Sequence, residues 1–190
     1  VRRRLIAAGV DSRSHLVGGH SVHAYRLTGT GVGPPVVLVH GLGGTAIGWV
    51  RVLRALGRDF SAVHAVDLPG NGFSPLPPSG PLTLEQHLGV LHAYCREVVK
   101  EPAFVVGNSL GGALSVLLAA LHPGDVAALA LVAPAGGEMT RASMLELMRT
   151  LDVRTTGDAV RLTRRLFHHA PLVAILFAPE MRKMHATPAV

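Results

Sequence analysis

The sequence predicts an α/β fold built on an open, mostly parallel sheet with helices on both faces. Three observations carry that reading. Apolar, largely β-branched runs recur at VVLV (36–39), SAVHAVDL (61–68), AFVVG (103–107) and ALALVAP (128–134), and such runs suit strands buried on both faces. Segments of helical spacing alternate with them, as in a chain that winds back and forth across a parallel sheet. Two glycine-rich loops follow strand ends, where parallel sheets bind their ligands.

Each element has its own signal. From His15 to Thr28 the pattern reads as two short strands around Gly18-Gly19. GTGVGPP is a turn cluster leading into VVLV, and GLGGT is a tight loop after it. AIGWVRVLRALGRDF (46–60) has apolar residues at helical spacing. SAVHAVDL repeats the buried-strand pattern and ends in the Pro/Gly-rich loop PGNGFSPLPPSGP. Thr83 and Gln86 have capping-box spacing and open a helix running to about Lys100. AFVVG is a strand, NSLGG a sharp turn, ALSVLLAALH a helix ending before Pro123, and ALALVAP a further strand. Beyond Gly137 the pattern changes to helical spacing, so residues 1–137 form the sheet-bearing part and 138–190 a helical part. LVAILF (172–177) reads as a short buried helix.

Composition narrows the function classes. With 48% hydrophobic and 16% charged residues, the 190-residue chain is globular. The net charge of +6 is not accompanied by aromatics, which are only 4%, so no nucleic-acid partner is expected. Cys95 is the single cysteine, which excludes an internal disulfide and thiolate-rich metal sites and suits a buried structural thiol. His15, His20 and His23 lack metal-ligand spacing, and neither a metal nor a cofactor is expected. The longest apolar stretches, Gly111 to Leu121 and Pro171 to Pro179, are too short to span a membrane. The basic start VRRRLIAAG lacks a persuasive cleavage site, so a cytoplasmic location is expected.

Two loops can carry chemistry. Gly107-Asn108-Ser109-Leu110-Gly111 fits G-x-S-x-G between a predicted strand and a predicted helix. A strand turning sharply into a helix strains the middle residue and needs small neighbours. The serine hydroxyl then projects at a helix N-terminus, where backbone N–H groups favour a developing oxyanion. The bland alternative is a serine that merely caps the helix. The second loop, His40-Gly41-Leu42-Gly43-Gly44, brings backbone close to a substrate without side chains in the way. The expected oxyanion donors are the N–H groups of Leu110 and Leu42, with Gly43 as the alternative to Leu42. His40 reads as a loop-organising histidine, Asp67 as the anchor of the DLPGNG turn, Ser74 as a cap, and His64 as packed beneath the loop. A rival reading takes Gly41-Leu42-Gly43-Gly44-Thr45-Ala46 as G-x-G-x-x-A, with Asp67 as a ribose-binding acid in a dinucleotide fold.

PPVVLVHGLGG, Trp49, DLPGNGFS and GNSLGG, in that order, resemble the α/β-hydrolase family. The resemblance implies a cofactor-free serine hydrolase with Ser109 as nucleophile, acting on a small-molecule carbonyl substrate. The bond cut would be an ester, a thioester or a carbon–carbon bond next to a carbonyl. It also implies a helical cap after ALALVAP, of which 138–190 would be the start. Hydrophobicity alone suggests Phe167 and Phe177 as cap residues that would select the acyl chain. Serine at the elbow argues against the dehalogenase and epoxide-hydrolase branches, which use aspartate there. The family's acid and histidine follow later strands that have no counterpart before Val190. The expectation is therefore a hydrolase fold incomplete at its C-terminus, from a fragment, a shortened inactive homologue, or a chain completed by a partner. His168 and His169 in the expected cap and His185 near the terminus are poor substitutes for the base. Glu180 as the acid leaves too few residues after it for another helix, strand and histidine loop.

Overall fold

The computed structural model describes residues 2–166, apart from 8, 139 and 152. The chain forms two compact units, Val1–Gly136 and Gly137–Val190.

The first unit is one six-stranded sheet. Helix α1 (Arg2–Ala7) precedes strands β1 (Val10–Val17), β2 (His20–Thr28) and β3 (Val36–Val39). Helix α2 (Val50–Leu56), β4 (Ala62–Val66), α3 (Leu84–Tyr94), β5 (Ala103–Asn108), α4 (Leu110–Leu121) and β6 (Val126–Val132) follow. The strand order is β1-β2-β4-β3-β5-β6. The four strands from β4 to β6 are parallel, while β1 and β2 join antiparallel at one side.

Burial explains why VVLV lies in the middle. All four of its residues are fully buried. Val37 and Val39 pack with Val105, Leu114, Leu118 and Tyr94 on one face of the sheet. Val36 and Leu38 pack with Val63, Leu53 and Tyr25 on the other, where Trp49 is part of the rim. Side chains alternate across a strand, so a run apolar at every position belongs where both faces are covered.

Local signals set the boundaries. Gly18 (φ 54) and Gly19 (φ 79) form the two-residue β1–β2 turn, whose paired positive φ angles favour glycine. Thr83 Oγ1 accepts from the Gln86 N–H at 3.2 Å, and Gln86 Oε1 accepts from the Thr83 N–H at 2.8 Å, completing the capping box of α3. That helix continues as a π-helical turn, Cys95–Val99, and stops at Lys100, which has φ 68. Cys95 is buried there, and burial pushes its thiol up to about 12.

Four features differ from the sequence expectation. Strand β6, whose apolar run reads as buried on both faces, is largely exposed. A helix α1 forms in the stretch read only as a basic start. Strand β1 begins at Val10, because Val10 pairs with Leu27 and the polar VDSRS can occupy an edge strand. The segment 46–60 is a 3₁₀ turn, Ala46–Trp49, followed by an α2 that ends at Leu56. Gly57 and the turn after it are held by the neighbouring loop, with Thr30 N–H donating to Gly57 O at 2.7 Å.

In the second unit, α5 (Arg141–Leu151) and α6 (Thr156–Leu166) are described. Thr155 and Asp158 exchange capping bonds at the start of α6, and Val153, Ala159 and Leu162 form a small buried cluster. LVAILF, Phe167, His168, His169, Phe177, Glu180 and His185 lie outside the described residues. No described helix is long and apolar enough to cross a membrane.

Candidate active site

Ser109 stands between the last residue of β5 and the first of α4, with φ 50 and ψ −117. A non-glycine residue in this region carries backbone strain of about 1–3 kcal/mol and persists only where its surroundings hold it. Here the holding groups are explicit. The Ser109 N–H donates to Val132 O at 3.1 Å, and Ser109 O accepts from the N–H groups of Gly112, Ala113 and Ala135 at 2.9–3.1 Å. Asn108 Nδ2 also donates to Val132 O at 3.0 Å. The turn is thus bolted to the end of β6.

The glycines beside it are required by close approach. A Cβ at Gly111 would run into the carbonyl oxygens of Val39 and His40, and one at Gly107 into Gly111 O and Ser115 Oγ. Helix α4 can start this close to β3 only because those positions lack side chains. The Ser109 side chain makes no capping bond to α4, so the reading of this serine as a simple helix cap does not hold. Leu110 is the first residue of α4, where the N–H has no acceptor within the helix.

The loop after β3 lies against this turn. A Cβ at Gly41 would sit 3.0 Å from Ser109 Cβ and 3.1 Å from Asn108 Oδ1, so the backbone leading into Leu42 passes beside the serine. Leu42 is 62% exposed. Gly43 has φ 64, and Gly44 N–H donates to Gly41 O at 2.9 Å, closing the turn.

His40 and Asp67 hold the two ends of this loop. His40 is buried; its Nδ1–H donates to Gly41 O at 2.8 Å and its Nε2 accepts from Leu68 N–H at 3.0 Å. That pair of bonds requires the neutral ring, and burial lowers the pKa in the same sense. Both ring nitrogens are occupied by backbone, so His40 organises the loop and is not placed to act as a base. Asp67 Oδ1 accepts from Ala46 N–H at 2.6 Å, at the far end of the loop. Its Oδ2 accepts from Phe73 N–H at 3.1 Å and meets His23 Nδ1 at 2.8 Å. Ser74 Oγ donates to Asp67 O at 2.7 Å and accepts from His23 N–H at 2.8 Å. The oxyanion-loop candidate is therefore clamped at both ends onto the adjacent residues Asp67 and Leu68.

Asp67 is 1% exposed and its oxygens are taken. It offers no shelf to a ribose, which removes the basis of the dinucleotide reading. His64 is also corrected: it lies within β4 and its Nδ1 meets the Tyr94 hydroxyl of α3 at 3.0 Å, under a helix rather than a loop. His23 had no motif to reveal it. Its role follows from the antiparallel β2–β4 pairing, in which Asp67 N–H donates to His23 O at 2.9 Å. Among the described residues no histidine is hydrogen-bonded to the Ser109 hydroxyl.

Residues 34–173 match the sequence model of a family described as "alpha/beta hydrolase fold". The pimeloyl-[acyl-carrier protein] methyl ester esterase of Chromobacterium violaceum is 43% identical over 103 residues, which are 54% of this chain and 38% of that protein. The dihydrolipoyllysine-residue acetyltransferase component of the acetoin cleaving system of Pseudomonas putida is 35% identical over 150 residues, 74% of this chain and 37% of that protein. Among solved structures, a bacterial membrane phospholipase A matches with a TM-score of 0.83 and 25% identity, over 97% of this chain and 63% of its own. The chain thus matches little more than a third of the length of these two curated relatives.

Proposed function

Because the chain belongs to the α/β-hydrolase fold family, we propose that it is a serine hydrolase, or the nucleophile-bearing part of one, that acts on esters through an acyl-enzyme. Ser109 Oγ attacks the carbonyl carbon, the N–H groups of Leu110 and Leu42 receive the oxyanion, and water later releases the acyl group. The observation that carries this reading is the strained Ser109, free of a capping bond, with the Gly41 backbone passing beside it. Strain of that kind is maintained for positioning.

Ester substrates are supported by the relatives' names, an ester esterase and a phospholipase. Thioesters and carbon–carbon bonds next to a carbonyl remain within the same chemistry, since each passes through the same oxyanion. Residues 138–190 are assigned as the start of a helical cap that would contribute to substrate selection. No cofactor enters the scheme.

A second reading rests on one observation, the absence among the described residues of a histidine bonded to Ser109. In that reading the chain keeps the elbow but binds ligand without turnover. A fluorophosphonate probe separates the two. Rapid labelling mapped to the Ser109 peptide, and lost from it in Ser109→Ala, is expected for an activated serine. A folded chain without rapid labelling at Ser109 would favour the binding protein.

A further inference from the structure

Away from Ser109, the structure holds a serine–histidine–aspartate chain of hydrogen bonds. Ser12 Oγ lies 2.9 Å from His23 Nε2, and His23 Nδ1 lies 2.8 Å from Asp67 Oδ2. The three residues come from β1, β2 and the turn after β4, far apart in sequence and brought together by the antiparallel edge of the sheet. His23 and Asp67 are each 1% exposed, while Ser12 is half-buried on the terminal strand. The Asp67 carboxylate is fixed by the N–H groups of Ala46 and Phe73, and the His23 ring is held edge-on by Tyr25 and Phe73.

We propose that this relay makes Ser12 a second reactive serine, modified by activated acyl or phosphonyl donors. The roles are defined by geometry, whatever the sequence order. Asp67 orients the ring through Nδ1–H, leaving Nε2 to accept the Ser12 proton. With a fluorophosphonate, the Oγ–P bond forms as the P–F bond breaks. Fluoride leaves, and the Ser12 proton passes to His23 Nε2 and then to solvent.

The site differs from the elbow in one decisive respect. Ser12 lies in regular antiparallel register opposite Tyr25, and its own N–H is directed to Asp11 Oδ1 at 3.0 Å. General-base help is built in, but among the described residues no helix N-terminus or glycine loop is placed to hold an oxyanion. Donors with good leaving groups are therefore the matching substrate class, and modification is stoichiometric, without turnover.

Ser14 is the internal control. It lies on the same strand, is more exposed, and has no place in the relay. Trypsin cuts after Arg13 and separates them, leaving Ser12 as the only serine of peptide 5–13 and Ser14 in peptide 14–26 with Ser21, which fragmentation of the labelled peptide distinguishes from it. In a Ser109→Ala chain treated with a fluorophosphonate, peptide 5–13 should be labelled about 100-fold faster than peptide 14–26, the scale of general-base assistance. The difference should vanish in urea, and His23→Gln should reduce it to the background. If that variant does not fold, the comparison of folded with urea-unfolded chain still decides. Equal labelling of the two peptides in the folded chain would overturn the proposal. Labelling at Ser109 is read on a different peptide, so either site can fail without the other.

Discussion

Gly111 has no room for a methyl group, because the carbonyl oxygens of Val39 and His40 occupy the space. Both are backbone atoms of β3 and the loop at its end, so relief requires α4 or that loop to move. Gly111→Ala should cost about 1–3 kcal/mol, the usual range for overpacking, seen as a lower urea midpoint. It should also slow labelling at Ser109, because the elbow and the Gly41 backbone would part. An unchanged midpoint and rate would contradict the close-approach account. At this scale the serine turn was legible, since Gly107, Ser109 and Gly111 are neighbours in sequence and their spacing is the signal. The same holds for His40 as a loop organiser and Asp67 as a turn anchor. His23 was not legible. Its partners come from positions 12, 67 and 74, and only strand register makes them adjacent.

Among the elements, β3 and β4 could be read because burial on both faces forces apolar residues at every position, and β6 is as apolar in sequence although it is largely exposed. Strand β1 could be read only in its second half, since the polar VDSRS carries no such constraint at an edge. The 46–60 helix was misjudged for a related reason. Helical spacing shows which residues share a face, but not that the turn after Leu56 docks on another loop, with Thr30 N–H donating to Gly57 O. The α3 start was fully local. Thr83→Ala should lower stability by about 1 kcal/mol, measured by thermal or urea unfolding, and Thr83→Ser should restore most of it. A loss from Thr83→Ala that serine does not recover would show that the threonine methyl, and not the cap, matters there.

Over the whole molecule, buried histidines tie stability to pH. Burial lowers the pKa of His40 and His87 and brings His64 down to about 4. These rings are neutral in the fold, whereas the unfolded chain takes up protons near 6.5. Stability from this source is therefore complete above about pH 6.5 and declines as pH falls from there towards about 4. The His64 shift alone corresponds to on the order of 3 kcal/mol at the acid end. Urea midpoints from pH 7.5 to 4.5 should fall steadily, and His64→Phe should flatten the curve; a pH-independent midpoint would contradict neutral burial.

The central claim, that the sheet, the HGLGG loop and the α4 N-terminus together present Ser109 to a carbonyl carbon, is tested most directly by trapping the acyl group. The chain is mixed with p-nitrophenyl butyrate, quenched in acid and mapped by peptide mass spectrometry. The expected result is rapid butyrylation of the Ser109 peptide, abolished in Ser109→Ala. A folded chain whose Ser109 peptide stays unmodified, while nitrophenol release is no faster than in buffer, would contradict it.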